Sequence, residues 1–203
     1  AAAFRMDRLP GHLLREKNVP HWLQLMLDSL GPLLWAALAF TAPLTLLSFA
    51  FGLIVGLLTA LARLFGPRPL VAVARFYVWI IRGTPLLVQL FLIFYGLPSA
   101  GILLDAFTAA LIGFTLNIGA YSSEIIRAVI ASVPKGQWEA AYSIGMTWGQ
   151  AMRRTILPQA ARTAVPPLSN SFISLVKDTS LAAAITVPEM FQAAQRIVAV
   201  TYE

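Results

Sequence analysis

The chain contains no cysteine, only two histidines and few charges: 12% of its 203 residues are Asp, Glu, Lys or Arg. Without cysteine there are no disulfides, thiolate metal sites or cysteine nucleophiles. Both histidines, His12 and His21, precede the first long apolar run, which excludes imidazole chemistry within the apolar body. Soluble domains carry about a quarter charged residues, and half that density cannot coat a water-facing globule of this size. The composition therefore argues against a soluble enzyme. What the chain has instead is apolar surface, with 58% hydrophobic residues and a mean hydropathy of +0.74.

The charges are confined to particular stretches. Ser29 to Ala62 is a run of 34 uncharged residues, Gly83 to Leu104 one of 22, and Ala106 to Ser123 one of 18. Roughly 20 apolar residues cross a bilayer. A fourth run, Thr163 to Val176, ends after 14 residues at Lys177 and Asp178, and apolar character resumes to Val187. The pattern predicts four membrane segments, at about 35–63, 72–95, 106–130 and 163–187, the last of them broken. The first run is too long and starts too late for a cleaved signal peptide. Residues 1–28, with mixed charge and Pro10 and Pro20, read as a surface extension. Pro188 to Ala199 reads as a short amphipathic helix, too polar to span.

The net charge of +6 raises the question of nucleic acid, but its placement answers otherwise. Nine of the fifteen basic residues fall in or beside two connections: Arg63, Arg68, Arg75 and Arg82, then Arg127, Lys135, Arg153, Arg154 and Arg162. The connection from Gly96 to Asp105 has none. Basic loops stay cytoplasmic, so the N-terminus is expected outside and the charge marks topology. No nucleic-acid partner is expected.

The longer basic connection, about 131–160, holds the most specific residues. Pro134 and Gly136 precede Glu139-Ala140-Ala141, Gly145 follows, and Leu157-Pro158 closes the segment. In physical terms this is a short helix, with Glu139 near its positive end and Gly145 suited to a left-handed stop. An ordinary capped surface helix would look the same. The spacing, however, resembles the EAA loop of the membrane subunits of ABC importers, with Thr155 in place of the usual isoleucine and Ile156 after it. Arg82-Gly83-Thr84-Pro85 with Gln89, and the stretch Ser169 to Leu181, look like that family's polar amino-acid branch. The chain from about Leu33 onward is most similar to bacterial cystine permeases.

The resemblance implies an all-α, polytopic transmembrane bundle of the type I ABC importer (MetI-like) kind, with four spans here, the family's fifth absent, and so a C-terminally incomplete fragment. It implies a permease subunit in the bacterial plasma (inner) membrane that pairs with a second permease subunit, identical or related. Two ATP-binding subunits would dock on it, and an extracytoplasmic amino-acid-binding protein would deliver the substrate, with cystine favoured. Glu139, Ala140, Ala141, Gly145, Leu157 and Pro158 would form the coupling element that the ATPase grips. The sequence contains no G-x-x-x-x-G-K-[ST] phosphate loop. ATP and Mg would be used by the partner ATPase, with no cofactor or metal bound by this chain. A stand-alone carrier or channel is the alternative.

Intramembrane polar residues give a second line of argument, because they usually face a partner or a wet path. Asn117, Tyr121 and Glu124 fall on one helical face, and Asn170, Ser174, Lys177 and Asp178 repeat the pattern, with Thr179 able to satisfy freed backbone. Asp178 and Lys177 would supply an acceptor and a donor for a zwitterionic amino acid. Two plainer readings stand beside these: Glu124 pairing with Arg127 one turn on, and Lys177 and Asp178 snorkelling to the outer interface. Pro85 would kink or restart the second span, and Gln89, one turn later, could bond across helices or line the path; the packing role is favoured for both. Gly52 and Gly56 read as close helix packing, Tyr77, Trp79 and Tyr95 as interface anchors, and Trp138 as a contact to the ATPase.

Overall fold

The computed structural model describes residues 20–202, and every regular element among them is helical. Helix α1 (His21–Ala36) runs through a wide π turn (Ala37–Thr41) into α2 (Ala42–Phe65). Helix α3 (Arg68–Gly83) is followed by α4 (Leu86–Phe91), which continues through a π turn (Leu92–Gly96) and a 3₁₀ turn (Leu97–Ala100). Helix α5 (Ala106–Ala131) precedes two short helices, α6 (Lys135–Ser143) and α7 (Trp148–Ala151). A third π turn (Met152–Ile156) leads into α8 (Leu157–Asp178), a 3₁₀ stretch (Thr179–Ile185) and α9 (Met190–Thr201).

All three π turns end two residues before a proline: Thr41 before Pro43, Gly96 before Pro98 and Ile156 before Pro158. Proline cannot donate to the carbonyl four residues back, and its ring collides with it. Widening the preceding turn moves that carbonyl aside. Proline alone does not force this, since Pro32, Pro166 and Pro167 sit in ordinary α-helix.

Among the described residues two helices are long and apolar enough to cross a membrane, His21–Phe65 and Ala106–Ala131. The first is 45 residues long, so residues 21–28, expected in a surface extension, instead begin the first long helix. Residues 1–19 lie outside the described residues. The expected second span is broken beside Pro85, where a kink or restart is expected: Arg68–Gly83 and Leu86–Ala100 meet at 107°, and only together do they pass as a third span. Thr84 is extended, the conformation favoured before a proline, and the helix stops at Gly83 and restarts after Pro85. The expected fourth span, 163–187, is not among these helices. Its polar residues and its change from α to 3₁₀ backbone at Thr179 set it apart.

Helices α2 and α5 form the central pair. A Cβ added to Gly52 would lie 2.5 Å from Ile118 Cγ2, and one on Gly56 would lie 2.8 Å from Ser122 Cβ. The G-x-x-x-G spacing therefore brings two helices of this same chain together. Tyr77, expected as an interface anchor, instead donates its hydroxyl to the Leu116 carbonyl at 2.6 Å and ties α3 to α5. The larger core gathers Leu44, Leu90, Phe114, Leu175 and Ile185 from α2, α4, α5, α8 and the 3₁₀ stretch. A second core lies at the arginine-bearing end, where Ile130, Met152, Ile156 and Ala160 pack with Trp138 and Leu157. Helix α9 closes against α1; its N-terminal amides are capped by Thr41 Oγ1 and by Glu189, which accepts from Phe191 and Gln192.

Candidate functional site

The break between α3 and α4 would leave carbonyls without partners, and one side chain meets that need. Gln89 is 7% exposed. Its amide donates to Ile81 O at 2.7 Å and to both the carbonyl and hydroxyl of Thr84, at 3.0 and 2.9 Å. Its own carbonyl accepts from Asn117 Nδ2 at 3.3 Å, which ties the elbow to α5. Of its two expected roles, bonding across helices is the one the geometry displays.

The splinted elbow, α5 and α8 line a half-open cavity of about 620 Å³, within the size range of small-molecule sites. Five of the residues expected along a path line it: Asn117 and Tyr121 from α5, and Asn170, Ser174 and Asp178 from α8. Arg82, Thr84 and Ser171 complete its polar wall, and Pro85, Leu86, Ile118 and Leu181 its apolar one. Two helical stripes more than 40 residues apart in sequence thus face one space.

Lys177, Thr179, Gln89 and Glu124 are not in that wall. Lys177 is exposed; as the immediate neighbour of Asp178 on a helix it points to a different face. The paired acceptor and donor expected at 177 and 178 are therefore not brought together, and Arg82 is the cation in the cavity wall instead. Thr179 is buried, with its hydroxyl bonded to Val176 O at 2.7 Å. Glu124 accepts from Arg127 at 2.9 and 3.1 Å, as the plainer reading has it, and also from Arg63 on α2, with Arg82 at 3.8 Å. The Arg63 partner is 61 residues away, and no local pattern announces it. Arg82 also lies 5.1 Å above the Tyr121 ring, within cation–π range.

The segment carrying Glu139 is built as follows. Pro134 opens α6, and Gly145 takes φ +78°, the left-handed conformation. Gly145 N–H donates to Tyr142 O at 2.9 Å and Met146 N–H to Ala141 O at 3.1 Å, the paired bonds of a Schellman stop. Three expectations change here. Glu139 lies past the first turn rather than at the positive end, and it is exposed. Ala141 is buried within this chain, leaving Ala140 as the exposed alanine. Trp138 and Leu157 pack on the chain's own second core, and Pro158, exposed, follows the π turn. Ile156, one place beyond the usual isoleucine position, is fully buried there. The short α7 opens on a capping box, Thr147-Trp148-Gly149-Gln150, with both reciprocal bonds formed, a local signal legible in the sequence.

Residues 52–202 match the family described as binding-protein-dependent transport system inner membrane component. The chain is 59% identical over 173 residues to the L-cystine transport system permease protein TcyB of Bacillus subtilis (strain 168), spanning 85% of this chain and 74% of that protein. It superposes on the crystal structure of an amino acid ABC transporter with histidines with a TM-score of 0.85 at 39% identity, covering 91% of this chain and 86% of that one. An inward-facing structure of the MetNI methionine ABC transporter shares the fold, with a TM-score of 0.65 at 22% identity over 91% of this chain and 86% of that one. The chain therefore belongs to the family of binding-protein-dependent transport system inner membrane components.

Proposed function

We propose that this chain, a permease subunit of an amino-acid ABC importer and not itself an enzyme, forms half of a membrane pathway for a cystine-like amino acid. The observation that carries the proposal is the meeting of Asn117, Tyr121, Asn170, Ser174 and Asp178 in one cavity beside Arg82. Asp178, which has no ion pair among the described residues, is suited to the ammonium of an amino acid. Arg82 is suited to the carboxylate, since guanidinium binds carboxylate through two parallel bonds. The similarity to a cystine permease favours cystine among polar amino acids. Nothing favours a stand-alone carrier or channel.

The chain sits in the inner membrane and crosses it more than once, and the placement of its arginines supports an extracytoplasmic N-terminus. The spans would be the long first helix, the bent α3–α4 pair, α5, and α8 with its 3₁₀ extension, joined by a cytoplasmic loop at about 131–160. On this reading a second permease subunit completes the pathway, two ATPase subunits grip the loop through Glu139 and Ala140, and a binding protein loads the outer face. ATP and Mg²⁺ act on those ATPase subunits. Ala141, Gly145, Leu157 and Pro158 hold the gripped helix in position.

The test is binding-protein-dependent uptake of labelled cystine by the assembled transporter. D178N is expected to lower uptake about tenfold, the loss of one charge-assisted contact, whereas K177Q stays near wild type. Equal loss in both variants, or none in D178N, removes this assignment.

A further inference from the structure

A second cavity, a hollow of about 450 Å³ that is wider open to the surface, adjoins the first, and Arg82, Gly83 and Tyr121 line both. Arg63, Arg75, Trp79 and Glu124 also line it, so three guanidinium groups face one carboxylate. That carboxylate is already engaged. Glu124 accepts from Arg63 on one side and from Arg127 on the other, and Arg82 approaches it only to 3.8 Å. Arg82 is held over the Tyr121 ring at the junction of the two spaces. Arg75 is exposed and forms no ion pair among the described residues, so its charge is left for something else. Trp79, 70% exposed, adds an apolar wall beside it.

An unpaired guanidinium attracts an anion and repels a cation, and its planar fork matches a carboxylate. The first cavity offers both an acid and a base; the second offers only surplus positive charge. We propose that the second cavity is a carboxylate-binding station, entered past Arg82 and Tyr121, in which Arg75 takes the carboxylate of the departing amino acid and the surplus charge disfavours cationic amino acids. This rests on the transport reading and deepens it by naming a second stop and its charge preference. Arg82 thereby serves both cavities, handing a carboxylate from one to the next, while Glu124 keeps Arg63 from closing on it.

The experiment is uptake of labelled cystine by the complete transporter, with its ATPase subunits and loaded binding protein, in vesicles of phosphatidylethanolamine and phosphatidylglycerol and in vesicles of phosphatidylcholine alone. In both lipids, R75Q is expected to lower kcat about tenfold, one charge-assisted hydrogen bond, with R75E lower still and R75K restoring most of the rate. KM for the loaded binding protein should stay as in wild type, because the station lies after loading. Unchanged kcat in R75Q and R75E overturns the station while leaving the transport reading intact. A defect seen only with phosphatidylglycerol means the cavity holds a lipid phosphate, and overturns it too. A wild-type complex that takes up no cystine overturns the transport reading, and the station with it.

Discussion

Single residues in this chain are placed by backbone need as often as by chemistry. Asp105 caps α5, accepting from Thr108 N–H at 3.0 Å. Hydrogen bonds from Thr108, through its side chain and then its backbone, hold the carboxyl below the usual carboxylate range. A carboxyl lowered on folding stabilises the fold above its unfolded value, and that contribution disappears as the pH falls through the lower folded value. D105A is expected to lose about 1 kcal/mol at neutral pH, the ordinary worth of an N-cap. Melting of the detergent-solubilised protein should show the gap between wild type and D105A narrowing as the pH drops below about 4. A gap that is constant with pH would mean the cap does not act through its charge. Gln89 shows the same logic more strongly: of the two roles open to it, bonding or lining the path, its amide takes the first, consumed by the carbonyls that Pro85 sets loose.

Between elements, the α2–α5 contact sets the distances on which the site depends. Gly56 lies so close to Ser122 and Gly119 that a larger side chain must push the helices apart. G56V is expected to destabilise the solubilised protein by about 1–3 kcal/mol, as overpacking does. G31A is the control: nothing lies within 4 Å of an added Cβ there, and alanine favours helix over glycine by roughly 1 kcal/mol. A melting temperature that falls in G31A, or holds in G56V, contradicts this packing. The spacing of Gly52 and Gly56 was readable as a close contact, but its partner was not. Helix periodicity describes one helix and says nothing of which other helix it meets. The π turns are a middle case, since a proline marks where a turn can widen, yet Pro32 and Pro166 sit in helices that do not widen.

At the scale of the molecule, two cores divide the work: the larger supports the cavity, and the smaller supports α6 from beneath through Ile156, Trp138 and Leu157. Gln159 adds a hydrogen bond to Gln137 at 2.8 Å between α8 and α6. Because α6 rests on the chain's own core, a change on its exposed face should leave the fold intact and disturb only coupling. E139A is expected to keep the wild-type melting temperature but lower cystine uptake relative to ATP hydrolysed, measured in the reconstituted complex. G145V should lower both, since a β-branched residue at φ +78° carries a backbone cost of about 1–2 kcal/mol. Uptake per ATP that is unchanged in E139A removes the coupling role. By itself the sequence determined the helical class, the broken backbone near Pro85 and the left-handed stop at Gly145, because each follows from composition or the stereochemistry of proline and glycine. Only the tertiary structure decided that Arg82 rather than Lys177 shares the cavity with Asp178, that Ala141 and Trp138 turn inward, and that Arg63 holds Glu124. Those facts depend on how helices distant in sequence are rotated against one another, and close packing settles that rotation.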